Sequence, residues 1–206
     1  MNIFSPKILE EVPSKYSGTL KVIKTLDSKY VSTGYLTQSG GLINDIWNPI
    51  LKKVGEKNKT WLILGLAVGT AAQIIAKKYL PTKIVGVEID TQMIYLGKKY
   101  FDLDKIPNLE IVQQDANDYL LTTSSYFDFI LVDIYQGDKL PDFVYSSDFI
   151  DAARKHGSTV IFNHLFYDDE KKTNAQLLVK SLEFRFPSIK LHHVLTNLLI
   201  ICQKRV

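Results

Sequence analysis

The 206-residue sequence contains one cysteine, Cys202. A single thiol builds neither a disulfide framework nor a cysteine zinc site, and it fits a reducing compartment. No apolar run reaches the ~18 residues of a membrane-spanning helix. Met1 to Glu10 carries no basic-then-apolar leader. A cytoplasmic protein without a membrane partner is therefore expected. Glycine (11 residues) and proline (7 residues) are too sparse for a low-complexity chain. Positive charge is in slight excess, at net +3. The lysines fall in scattered pairs (Lys52-Lys53, Lys77-Lys78, Lys98-Lys99, Lys171-Lys172) rather than in a stripe, so nucleic acid is not the expected partner. His156, His192 and His193 have no cysteines near them and form no metal set, so no metal is expected.

The chain does have ordinary globular composition, with 46% hydrophobic and 23% charged residues, enough for a real core. Its first ~57 residues differ from the rest. Pro6, Pro13 and Gly18 punctuate a loose start. Thr19–Lys24 alternates like a half-buried strand, and Tyr30-Val31 with Tyr35-Leu36-Thr37 flank Gly34 as short hairpin strands. Leu42–Val54 is mostly helical, with Asn48-Pro49 interrupting it as an N-cap and first-turn proline.

From Thr60 the pattern becomes regular. Strands are expected at Trp61–Leu64, Lys83–Val87, Leu109–Val112, Phe127–Val132 and Ser158–Phe162. Helices are expected at Thr70–Leu80, Thr91–Phe101 (Thr91 as N-cap), Ala116–Leu121, Ser147–His156 (Gly157 as a left-handed stop) and Asp168–Phe184. Ile189–Val194 and Leu198–Ile201 are too close for a helical crossover and should pair antiparallel. Uninterrupted apolar strands alternating with helices imply an α/β, Rossmann-like, mainly parallel seven-stranded sheet with an antiparallel last strand, covered on both faces. A small N-terminal β-hairpin appendage (1–57) precedes the main unit (58–206).

In an open α/β sheet, ligands bind beyond the carboxyl ends of the strands. The first strand is followed by Gly65-Leu66-Ala67-Val68-Gly69-Thr70. Small residues at 65, 67 and 69 allow a tight turn and close approach of backbone to ligand. The dinucleotide fingerprint would need glycines at 65, 67 and 70, and it fails at Ala67 and Thr70. The second strand ends in Glu88-Ile89-Asp90, where a carboxylate can accept from both ribose hydroxyls. The third ends at Asp115-Ala116, where Asp115 can accept from an exocyclic adenine amine. The fourth ends in Asp133-Ile134-Tyr135. These carboxylates would repel a pyrophosphate, and so favour a nucleoside without one.

From Trp61 to Ile201 the chain resembles class I S-adenosylmethionine-dependent methyltransferases, in particular their spermidine synthase-like branch. ILGLAVGT (63–70), VGVEIDTQMIYLGKKYF (85–101), QQDANDYL (113–120), FDFILVDIYQGDKLP (127–141) and TNLLIICQK (196–204) carry the likeness. The resemblance implies that Gly65, Ala67 and Gly69 line the cofactor site, with Gln38 reaching in from the appendage. Glu88 and Ile89 would hold the ribose, and Asp115 with Ala116 the adenine. Asp133 would stand at the reacting centre, orienting or deprotonating the acceptor, with Tyr135 as a wall of the acceptor pocket. Two departures stand out. A spermidine synthase carries Tyr-His-Glu where this chain has Trp47-Asn48-Pro49, and a second Asp where it has Gln136.

The expected activity is transfer from a sulfonium nucleoside, first as methyl transfer from S-adenosylmethionine to a small-molecule acceptor. The alternative is aminopropyl transfer from decarboxylated S-adenosylmethionine to a polyamine. A further alternative is a non-catalytic nucleoside-binding module. The N-terminal hairpin is a candidate homodimer surface.

Overall fold

The structure, a computed structural model, describes residues 6–26, 28–34, 36–41 and 43–204, and only the backbone of 36–39. Four antiparallel strands come first: β1 (Lys7–Ser14), β2 (Gly18–Lys24), β3 (Lys29–Thr33) and β4 (Leu36–Gly40), in spatial order β1-β2-β3-β4. The expected hairpin is thus a four-stranded sheet. The first eight of these strand residues read in the sequence as a loose start, because Pro13 interrupts them. A proline is tolerated there because β1 is an edge strand, where the missing N–H breaks no interior ladder.

The second sheet has seven strands in the order β10-β11-β9-β8-β5-β6-β7. These are β5 (Thr60–Leu64), β6 (Lys83–Glu88), β7 (Leu109–Gln113), β8 (Phe127–Val132), β9 (Gly157–Leu165), β10 (Ser188–Val194) and β11 (Asn197–Gln203). β5 to β9 run parallel, and β11 runs antiparallel to both its neighbours, as the sequence pattern implies. The period-2 alternation divides the core. Trp61, Ile63, Phe129, Leu131 and Ile161 pack on one face beneath α1 (Ile43–Val54) and α2 (Thr70–Tyr79). Leu62, Leu64, Ile130, Val132 and Phe162 pack on the other, beneath α4 (Ala116–Thr122), α5 (Ser147–His156) and α6 (Asp169–Glu183).

Three local expectations are corrected. Asn48-Pro49 does not break the helix: α1 runs through Pro49, whose exposed ring lies on the solvent side while Ile46, Trp47, Ile50 and Leu51 bury the other. Burial of that face outweighs the one backbone hydrogen bond a proline removes. The cap of α3 (Thr91–Tyr100) is Asp90 rather than Thr91, because the Asp90 carboxylate accepts from the Gln92 amide at 2.9 Å. Gly157 is extended (φ −123°) and begins β9 directly; a Cβ there would meet the Ile130 side chain at 2.8 Å.

The N-terminal sheet is anchored on the main unit. Leu20, Val22 and Val31 pack with Val68, Met93 and Leu96. The Ser14 hydroxyl donates to Asp90 at the start of α3, and the Gly40 amide donates to the Thr70 hydroxyl at 2.8 Å. One end of the appendage is thereby held over the carboxyl edge of β6.

Candidate active site

Strand order reverses between β5 and β8. The chain goes from β5 outward to β6 and β7, then returns to β8 on the other side. At this switch point the two strand ends touch. The Asp133 amide donates to the Leu64 carbonyl at 2.8 Å. Gly65 (φ +90°) leaves so little room that a Cβ would fall 2.2 Å from the Asp133 carbonyl oxygen. Glycine is required there by both its backbone angle and this contact. A cavity of about 300 Å³ opens above the junction.

The half of this cavity where the sequence reading expects the nucleoside donor, called its donor side, is built by β5, β6 and β7. Gly65, Ala67, Glu88, Ile89, Asp115 and Ala116 line it. The Ala67 amide donates to Glu88 Oε2 at 2.8 Å and the Asp90 amide to Oε1 at 2.9 Å. Each carboxylate oxygen thus keeps a lone pair for a ligand hydroxyl. Burial pushes the Glu88 carboxyl above its usual range, against the pull of these amides. Asp115 caps α4: its Oδ1 accepts from the amides of Asn117 (2.8 Å) and Asp118 (3.3 Å). Its Oδ2 accepts no hydrogen bond among the described residues. Met93 adds an apolar wall, and Tyr16 and Ser17 reach in from the β1–β2 turn. Gly69 does not line the cavity. It introduces α2 at φ +91° and sits against Leu103, whose side chain a Cβ would meet at 2.4 Å. Gln38 lies on β4, and its side chain is outside the described residues.

The half where the sequence reading expects the acceptor, called its acceptor side, is built by β8, β9, β11 and α1. Asp133 lines it, and both its oxygens are held. Trp47 Nε1 donates to Oδ2 at 3.0 Å, and Asn163 Nδ2 donates to Oδ1 at 2.8 Å. Asn197 Nδ2 donates in turn to Asn163 Oδ1 at 2.8 Å, and the Thr196 hydroxyl to Asn197 Oδ1 at 3.0 Å. Trp47, Asn163 and Asn197 are buried. Burial raises the Asp133 carboxyl above its ordinary range, opposed by the two hydrogen bonds. Tyr135 lines the same side, but its hydroxyl donates to the Asn163 carbonyl at 2.8 Å, and burial keeps its proton on well above the usual phenol range. Its hydroxyl is committed to that carbonyl.

Asp138 is turned away from this cavity. Residues 136–139 close a tight turn, with the Gln136 amide donating to the Lys139 carbonyl at 2.9 Å and Gly137 at φ +64°. Asp138 then accepts from the Tyr167 hydroxyl (3.1 Å) and pairs with the buried Lys171 ammonium (2.9 Å), which holds its carboxyl below the usual range. His164 is also turned away. Its ring nitrogens contact the Tyr145 hydroxyl (2.8 Å) and the Leu165 carbonyl (2.6 Å), and it is structural. Among the described residues no His/Cys/Asp/Glu group could hold a metal ion. No described helix is long and apolar enough to cross a membrane.

Trp47 and Asn197 were not singled out as site residues by the sequence. Trp47 stands in the apolar rhythm of α1, which signals burial and not the partner, 86 residues away, of its indole N–H.

The fold is the Rossmann-like fold of class I methyltransferases. Human methyltransferase-like protein 13, solved in complex with SAH, superposes with a TM-score of 0.61 and 19% identity, over 77% of this chain and 76% of that one. A probable spermidine synthase from Corynebacterium glutamicum superposes with a TM-score of 0.80 and 15% identity, over 96% of this chain and 80% of that one. The family model of the spermine/spermidine synthase domain matches residues 49–172, and the chain belongs to that family. A "Probable polyamine aminopropyl transferase" of Bifidobacterium longum is 30% identical over 120 residues, 56% of this chain and 26% of that protein. A polyamine aminopropyltransferase of Vibrio vulnificus is 24% identical over 148 residues, 67% and 50% of the two chains. The chain thus spans a quarter to a half of the length of these curated relatives.

Proposed function

We propose that this chain is a sulfonium-nucleoside transferase that moves an aminopropyl group from decarboxylated S-adenosylmethionine to an amine. The observation that carries this reading is the sign of the cavity. Glu88, Asp90, Asp115 and Asp133 line it, and no Lys, Arg or His does so among the described residues. A donor with a sulfonium and a terminal ammonium suits such walls. A donor that also carried a methionine carboxylate would bring it into an acid-lined cavity with no cationic side chain among the described residues to pair with it. Family membership favours the same reading over methyl transfer.

The residues fit the nucleoside. Glu88, with one free lone pair on each oxygen, would hold the ribose hydroxyls. Asp115 Oδ2 would accept from the adenine amine beside Ala116. Gly65, Ala67 and Ile89 would shape the backbone and apolar contacts. When bound, the donor supplies an electrophilic carbon on sulfur: the acceptor nitrogen's lone pair forms the C–N bond as the C–S bond breaks and its electron pair leaves with a neutral thioether. Asp133 would hold the incoming ammonium and take its proton before attack, since a neutral amine is the nucleophile. Its raised pKa makes it a better base than an exposed aspartate. Trp47 and Asn163 fix the carboxylate's orientation, so it cannot swing toward solvent. That fixed geometry favours a working enzyme over a nucleoside-binding module. The appendage of residues 1–57 would close the donor side through Tyr16 and Ser17.

Calorimetry with both sulfonium nucleosides tests the reading. Tighter binding of the decarboxylated form, with release of methylthioadenosine when an amine is added, is expected. Tighter binding of S-adenosylmethionine, with label moved from its methyl group, would replace it by methyl transfer.

A further inference from the structure

The cavity changes character along its length. On the donor side the ends of β6 and β7 bring three carboxylates. Past the β5–β8 junction Asp133 is the one carboxylate in the lining among the described residues. The rest of that side is uncharged among the described residues: neutral polar groups of Asn163, Asn197 and Gln136, the Tyr135 and Phe143 rings, and aliphatic side chains such as Ile46 and Leu165. No second acid reaches it among the described residues. Position 136, on the cavity wall, is glutamine, and Asp138 is committed to Lys171 and Tyr167 on the far side of the tight turn. Pro49, on the helix that carries Trp47, faces solvent and brings no charge.

A second ammonium entering this side would lose its hydration and find no counter-charge. An unpaired buried charge is among the most unfavourable arrangements a protein can adopt. A neutral tail would meet hydrogen-bonding amides on one wall and aliphatic contacts on the other. We infer that the acceptor is a primary amine with one charged end and a neutral body, its ammonium on Asp133 and its tail between Asn197 and Leu165, and not a diamine or polyamine. This inference rests on the aminopropyl-transfer reading and narrows its acceptor. Gln136 then sets specificity, because it occupies the wall position from which a second carboxylate could answer a distal ammonium.

The experiment compares amines of matched length with the full chain and labelled decarboxylated S-adenosylmethionine: butylamine, 4-aminobutanol and putrescine. The readouts are kcat/KM by product mass and, separately, the Kd of each amine for the chain saturated with methylthioadenosine. The monoamines should exceed putrescine by about tenfold or more in both, in keeping with an unpaired ammonium. Gln136→Asp should raise the putrescine-to-butylamine ratio by about tenfold. Preference for putrescine by the unaltered chain, an unchanged ratio in Q136D, or no binding of any of the three amines would overturn the inference. Failure of the parent reading looks different: decarboxylated S-adenosylmethionine would then bind more weakly than S-adenosylmethionine in calorimetry without any amine.

Discussion

The two halves of the cavity are built in opposite ways. On the donor side, the carboxylates are held mainly by backbone amides of the strand ends and turns that carry them. Asp115 is held by the amides two and three residues on, and Glu88 by the amide two residues on and one from the adjacent turn. On the acceptor side, Asp133 is fixed by residues 86 and 30 positions away, on α1 and β9, and the chain of amides continues to β11. On the proposed reading, nucleoside binding is therefore a property of strand ends and turns, and the positioning of Asp133 a property of tertiary packing. The two should respond to mutation differently.

The sharpest separation is expected from Asp133→Asn. Asparagine can accept from Trp47 and donate to Asn163 Oδ1 if the amides of Asn163 and Asn197 both turn over, the reversal ending at the rotatable Thr196 hydroxyl. The variant should fold. Turnover should fall by about 10²–10⁴-fold, the usual worth of a positioned base, while affinity for methylthioadenosine changes little. Its stability should move the other way. The folded chain holds the Asp133 proton to a higher pH than the unfolded chain does. Stability of the ligand-free protein therefore falls as pH rises from the ordinary carboxylate range through that raised value, and the deficit persists above it. D133N lacks this deficit, so its Tm should match or exceed that of the unaltered chain at pH 7, with the difference shrinking toward about pH 4. A lower Tm at pH 7, or preserved turnover, would contradict the assignment.

Gly65→Ala should instead break both halves together. The added methyl falls on the Asp133 carbonyl at a positive φ, so the ends of β5 and β8 must separate. A loss of about 2–3 kcal/mol in denaturant unfolding is expected. Nucleoside affinity and turnover at saturating donor should both decline. A variant that lost only one of the two would show that the halves are mechanically independent.

Glu88→Gln confines the damage to the donor side. One of the two amides now held by the carboxylate would face an NH2 group. Donor binding should weaken about tenfold, near the worth of one charged hydrogen bond, with turnover at saturating donor close to unaltered. Calorimetry and a saturation curve separate the two.

The same division explains what the sequence disclosed. Continuous apolar strands and the residues that follow them placed Gly65, Glu88, Asp115 and Asp133 at one sheet edge, because strand direction alone puts them there. Local signals misled where a nonlocal force won. Pro49 reads as a break, but the buried stripe of α1 keeps the helix intact. Gly157 reads as a helix stop, whereas the space it leaves is taken by Ile130 of the neighbouring strand. β1 leaves no clear strand signal in the sequence, because an edge strand is half exposed and tolerates Pro13. The Trp47–Asp133 and Asn163–Asn197 contacts leave no local periodicity at all. The Trp47-Asn48-Pro49 run reads as a departure from Tyr-His-Glu that loses an acid at Pro49, yet Trp47 supplies a donor to the Asp133 carboxylate.

The smallest expected effect is also the most specific to the acceptor side. Trp47→Phe keeps most of the buried aromatic surface of α1 and deletes the indole N–H. Stability should drop by about 1–2 kcal/mol, from a lost hydrogen bond to a charged group and a small void. The N–H favours the ionised carboxylate, so its removal should raise the Asp133 pKa further. Asp133 must be ionised to take the acceptor's proton. The acidic limb of the pH–rate profile should therefore shift to higher pH, while the rate well above that limb recovers most of its original value. A tryptophan that served packing alone would give a uniform loss at every pH with the limb in place. The direction of that shift decides whether Trp47 is part of the catalytic arrangement or only of the core beneath it.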